Sequence, residues 1–173
     1  MTISTELAFT PAYRLRELIA QKQLSPVELT EGCLERIETL NPRLNAFLTV
    51  TADEALRAAR EAEEAVMSGD ELGPLHGIPT SIKDLEDTKG IRTTKGSLVY
   101  KDRVPDEDAT TTARLRAAGG ILLGKLAMHE FALGGPDPSC GFPMARNPWD
   151  LDRIPGGSSS GSAAAVAAGL CMG

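Results

Sequence analysis

From residue 46 onward the sequence alternates between strand-like and helix-like stretches, and this alternation limits the folds open to it. AFLTV (46–50) is a short apolar run that suits a strand. ADEALRAAREAEEAVMSG (52–69) suits a helix ended by Gly69, with its charges on a solvated face. GIPTSIKD (77–84) is again strand-like. DATTTARLRAA (108–118) suits a helix closed by Gly119-Gly120, and ILLGKL (121–126) a buried strand. Such alternation predicts an α/β layered domain. The preceding residues read as helices. Thr10-Pro11 predicts a cap and first helical position, with Leu15, Leu18 and Ile19 on one face. Ser25-Pro26-Val27-Glu28 is a capping box that starts a second helix. Val27, Cys33, Leu34, Ile37 and Leu40 recur along it at roughly helical spacing, and Asn41-Pro42 is expected to stop it. The chain is therefore expected to be one domain over 1–173, with a helical arm (1–45) on the surface of an α/β core that begins at 46.

Composition removes several function classes. The 173 residues can bury a real core, and 42% of them are hydrophobic against 24% charged. A net charge of −6 without a Lys/Arg run argues against direct, tight binding of nucleic acid. Three widely spaced cysteines, Cys33, Cys140 and Cys171, suit free thiols in a reducing compartment. The first residues carry no apolar signal core, and AAAVAAGLCMG (163–173) is too short and too rich in Ala and Gly to span a bilayer. These features predict a cytoplasmic protein that does not enter a membrane.

Several motif-like features have simpler explanations. Gly119-x4-Gly124-Lys125 resembles the start of a phosphate-binding loop, but Leu126 stands where a Ser or Thr must reach magnesium. The order is also helix-then-strand, so a glycine stop feeding a core strand is the better reading. His76 and His129, the only histidines, lack ligand spacing to another His or Cys, and no metal site is expected. Cys33 falls on an apolar helix stripe and is expected in the core. Cys140 sits in a loop, without a partner motif that would make it a nucleophile. Trp149, the only tryptophan, is expected to pack.

IPGGSSSGSAAAVAAG (154–169) contains what looks like a flexible linker. A linker joins independent units through polar flanks. Here a helix of very small residues follows at once, suited to close approach of a neighbouring element. A Gly/Ser loop that opens into a helix N-terminus gathers N–H groups and hydroxyls where the helix dipole is positive, a place suited to developing negative charge. Pro155-Gly156-Gly157 permits backbone geometry that other residues resist. An ordered active-site loop is the stronger reading.

With these residues in hand, the chain resembles the amidase signature family over nearly its whole length. GGSSSGSAAAVAAG resembles the first half of the family's serine/glycine-rich signature. PLHGIPTSIKD (74–84) is similar to its lysine segment, GILLGKLAMHEF (120–131) to its Gly-Lys and Glu-Phe segment, and ARNPWDLDRIPGGSSSGS (145–162) to the approach to the signature. Four pieces in order make the resemblance specific. It implies a mixed β-sheet covered by helices, and hydrolysis of a carboxamide C–N bond through a serine acyl-enzyme, with no metal or organic cofactor.

The resemblance further implies a Ser–cisSer–Lys triad. Its lysine maps onto Lys83, and its bridging serine, which follows a cis peptide bond, onto Ser158. Gly156, Gly157 and Ser159 map onto the supporting loop, with Ser159 expected to hold it by hydrogen bonding. Taken locally, Lys83 reads instead as a surface lysine paired with Asp84; the ordered motifs reverse that preference. The family's acyl-forming serine and its oxyanion amides lie in a second Gly-Gly-Ser that this sequence does not contain. The chain is thus expected to be the N-terminal part of an amidase and to be inactive by itself. The glutaminase component of the tRNA-dependent amidotransferase shares the same signature and is the alternative. A non-catalytic fragment is the alternative from another class. The implied partners are a small-molecule amide and either a second copy of the chain or the other amidotransferase components.

Overall fold

The computed structural model describes residues 5–172. A short helix, α1 (Thr5–Ala8), precedes α2 (Ala12–Ala20), α3 (Pro26–Leu44), β1 (Phe47–Val50) and α4 (Ala52–Ser68). β2 (Pro79–Lys83), α5 (Thr110–Ala117), β3 (Ile121–Leu126) and α6 (Ser160–Ala167) follow, with short 3-10 turns in the loops. The strands form one mixed sheet in the order β1-β3-β2. β3 runs antiparallel to β1 and parallel to β2, and a parallel pair needs the long crossover through α5.

The apolar pattern explains the layering. All six residues of β3 are buried, as expected of a central strand covered on both faces. Leu123 and Leu126 meet Cys33 and Ile37 of α3, Ala55 and Ala59 of α4, and Ala164 and Ala165 of α6 in one core. A smaller cluster joins Leu15 and Ile19 of α2 to Leu29, Val66 and Ile78. The described part of the expected arm, residues 5–45, therefore lies against the α/β core, and α3 contributes to its interior. Cys33 is fully buried, and desolvation pushes its thiol pKa up to about 12, so it is inert packing. Among the described residues no helix is long and apolar enough to cross a membrane.

Three local expectations are corrected. Thr10 does not cap α2: its hydroxyl donates back to Glu6 O at 2.8 Å, and Pro11 takes the cap position. Pro42 does not stop α3, which runs to Leu44 and closes on Asn45 in the left-handed region. Proline there costs one last-turn hydrogen bond, while the Asn41 amide bonds both Phe47 N and Phe47 O and ties the helix end to β1. Trp149 does not pack. It is 87% exposed on a tight turn in which its N–H donates to Asn147 Oδ1. The Ser25 cap does form, accepting from Val27 N and Glu28 N.

Candidate active site

β2 ends at Lys83, and the loop leading into α6 passes above that end. The Lys83 ammonium donates to Ser158 Oγ at 2.7 Å across 75 positions of sequence. Both side chains are half-buried. Burial pushes the Lys83 pKa below the ordinary lysine range, and the nearby Glu86 carboxylate pulls the other way. The Gly157–Ser158 peptide is cis.

The loop is held by backbone bonds to the segment that follows β3. His129 N donates to Ser158 O at 3.0 Å, and Gly161 N to Ala127 O at 2.8 Å. Two glycines are required by close approach. A Cβ on Gly157 would stand 2.0 Å from His129 Cε1, so the imidazole fills the space where a side chain would be. A Cβ on Gly161 would lie 2.4 Å from both Ala127 N and Ala46 O, so α6 starts in direct backbone contact with the sheet. Gly156 adopts a φ of +89° at the bend into the loop. After α6 the chain returns beside β2, where Met172 N donates to Pro79 O at 3.0 Å. This is a fixed loop and not a linker.

The structure thus brings Lys83, Gly156, Gly157 and Ser158 together. Ser159 departs from its expected part: its side chain is exposed and makes no cap bond, and only its carbonyl supports α6, by accepting from Ala163 N. The hydroxyl that reaches across to Ala127 O, at 3.5 Å, belongs to Ser160. His76 bonds Ala62 O and lies away from this loop. His129, which local sequence did not single out, is the shelf under Gly157. Among the described residues no group of three or more His, Cys, Asp or Glu could hold a metal ion.

Asp84 is not the surface partner of Lys83. It is fully buried, as is Lys125 on β3. Lys125 Nζ donates to Glu86 O and Thr93 Oγ1, both at 2.7 Å, and stands 3.5 Å from Asp84 Oδ1. Burial pushes the Lys125 pKa down, and Asp84 opposes that shift. The Lys-Asp doublet hid this pair, because the β2–β3 register that sets Ile82 beside Lys125 is not visible locally.

The Amidase family profile matches residues 28–173, and the chain belongs to that family, the amidase signature enzymes. It is 47% identical over 164 residues to the A-type subunit of the glutamyl-tRNA(Gln) amidotransferase of Moorella thermoacetica, covering 95% of this chain and 34% of that protein. It is 49% identical to the corresponding protein of Symbiobacterium thermophilum, covering 91% and 33%. Among solved structures, a bacterial aryl acylamidase superposes with a TM-score of 0.89 at 33% identity, covering 96% of this chain and 35% of that one. The native peptide amidase of Stenotrophomonas maltophilia superposes with a TM-score of 0.84 at 37% identity, covering 94% and 34%. The chain spans about a third of the length of the curated relatives it matches.

Proposed function

We propose that this chain supplies the base and the proton relay of a serine amidase that cleaves a carboxamide C–N bond without a metal or organic cofactor. The observation that carries the proposal is the 2.7 Å contact between Lys83 Nζ and Ser158 Oγ. A lysine serves as a base only when neutral, and its ordinary pKa is about 10.4. Partial burial lowers that barrier at Lys83. Neutral Lys83 takes the Ser158 hydroxyl proton while Ser158 takes the proton of the attacking serine. That serine bonds to the amide carbon, and the tetrahedral adduct collapses to an acyl-enzyme as the relayed proton leaves with the amine. Water then attacks the ester by the same route in reverse. The attacking serine and the oxyanion donors belong to the second Gly-Gly-Ser of the family, so activity is a property of the full-length protein, which acts in the cytoplasm.

A second reading is glutamine as the amide, with ammonia passed to a partner protein. Identities of 47% and 49% to the amidotransferase relatives, against 33% and 37% to the solved amidases above, favour it. The experiment assays the 173-residue chain and the protein encoded by the complete gene on a panel of small amides that includes glutamine. The full-length protein is expected to hydrolyse an amide and the 173-residue chain none above background. Lys83→Ala and Ser158→Ala should each lower the activity by ~10²–10⁴-fold. Activity on glutamine alone, and only with the partner protein present, selects the second reading. Ser158-dependent hydrolysis by the 173-residue chain would overturn the division of labour.

A further inference from the structure

Lys83 and Asp84 are neighbours in sequence with separate surroundings. Lys83 reaches Ser158, while the Asp84 carboxylate is fully buried against Lys125 and the segment 93–95. Asp84 Oδ2 accepts from Thr94 N at 2.8 Å and from the Thr94 hydroxyl, and Oδ1 takes no hydrogen bond but faces the Lys125 ammonium at 3.5 Å. The Asp84 backbone extends the ladder: its N–H donates to Leu126 O at 3.0 Å, and its carbonyl accepts from Lys95 N at 3.1 Å. Lys125 completes the tie by donating to Glu86 O and Thr93 Oγ1. The residue directly after the base is thereby fastened to β3, to Glu86 and to residues 93–95.

A buried ion pair is a poor source of stability, because desolvation offsets much of its attraction and apolar replacements of similar size are often neutral or better. Its value here lies in geometry. We propose that Asp84 and Lys125 are positioning residues, a charged strap that fixes the end of β2 so that Lys83 Nζ stays within reach of Ser158 Oγ. The proposal rests on the amidase reading of Lys83 and Ser158.

The test uses the full-length protein and three variants: Asp84→Asn, Lys125→Met and the double variant. Each single change leaves one buried charge without its counter-charge, and Lys125→Met also removes the donor to Glu86 O and Thr93 Oγ1, so loss of folding in a single variant is read from the double, which removes both charges. Thermal unfolding, kcat and KM are measured on the same amide. The double variant is expected to unfold near the parent temperature, with KM unchanged and kcat at least tenfold lower. A role confined to the fold would lower the unfolding temperature and leave kcat of the folded fraction alone. A folded double variant with kcat within twofold of the parent overturns the strap, and so does a double variant that fails to fold. A parent without Lys83-dependent hydrolysis overturns the amidase reading itself, and the strap with it.

Discussion

In the proposed relay Lys83 must be neutral to take a proton from Ser158, and its surroundings set the pH at which that would happen. Burial favours the neutral amine, and the Glu86 carboxylate favours the ammonium. The rate should therefore rise with pH as Lys83 deprotonates. Glu86→Gln removes the opposing charge and lowers the Lys83 pKa further. The acid limb of the kcat/KM profile is expected to move to lower pH in that variant. A limb that stays in place or moves to higher pH would show that Glu86 does not act on the titrating group. Gly157 offers a second test at this scale. Alanine there would drive its methyl into the His129 ring, and the ring is buried, so the Ser158 peptide must shift. A displacement of about 1 Å at a reacting group costs roughly 10²-fold in rate. Gly157→Ala should lose activity on that scale, and adding His129→Ala should recover part of it. Equal losses in the single and double variants would remove His129 from the account.

The elements are joined at points where backbones touch. Gly124 sits inside β3 where a Cβ would lie 2.1 Å from Thr49 O, so β1 can pair there only with glycine. Gly161 does the same for α6 against Ala127 and Ala46. Overpacking of this kind costs about 1–3 kcal/mol, so Gly161→Ala should lower unfolding stability by that amount in equilibrium denaturation. A neutral result would mean that α6 can lift off the sheet without penalty. These contacts also mark the limits of reading a sequence. AFLTV and ILLGKL declared themselves as strands because they are short, apolar and bounded by turns, and GIPTSIKD was strand-like though more polar, its strand narrowing to Pro79–Lys83. Gly124 in ILLGKL looked like half of a phosphate loop, because its true constraint is a strand 74 positions upstream at Val50, its register partner. Pro42 misled for a related reason: a rule about local sterics cannot weigh the Asn41 amide that ties the helix end to β1. Trp149 misled in the opposite sense, since bulk predicts burial only when the backbone turns the ring inward.

At the scale of the whole molecule, the sheet brings together residues that are far apart in sequence. Parallel pairing of β2 and β3 places Lys83 at a strand end, and the contact of α6 with Ala127 lowers the Ser158 loop onto it. The Lys83–Ser158 contact was legible only as what the family resemblance, carried by four motifs in order, implies; a 75-residue separation hides it from any local pattern. The Asp84–Lys125 strap was not legible, since a Lys-Asp doublet and a Gly-Lys doublet each have an ordinary surface explanation. The central claim is that Lys83 acts as a base through Ser158 and not as a fixed cation that anchors the loop. Substituting arginine separates these roles, because guanidinium keeps the charge and the donors but cannot give up its proton in a protein. The deciding measurement is kcat/KM of the full-length protein carrying Lys83→Arg, beside Lys83→Ala. The account predicts that both fall by ~10²–10⁴-fold, the usual contribution of a general base. Activity of the arginine variant within tenfold of the parent would contradict it.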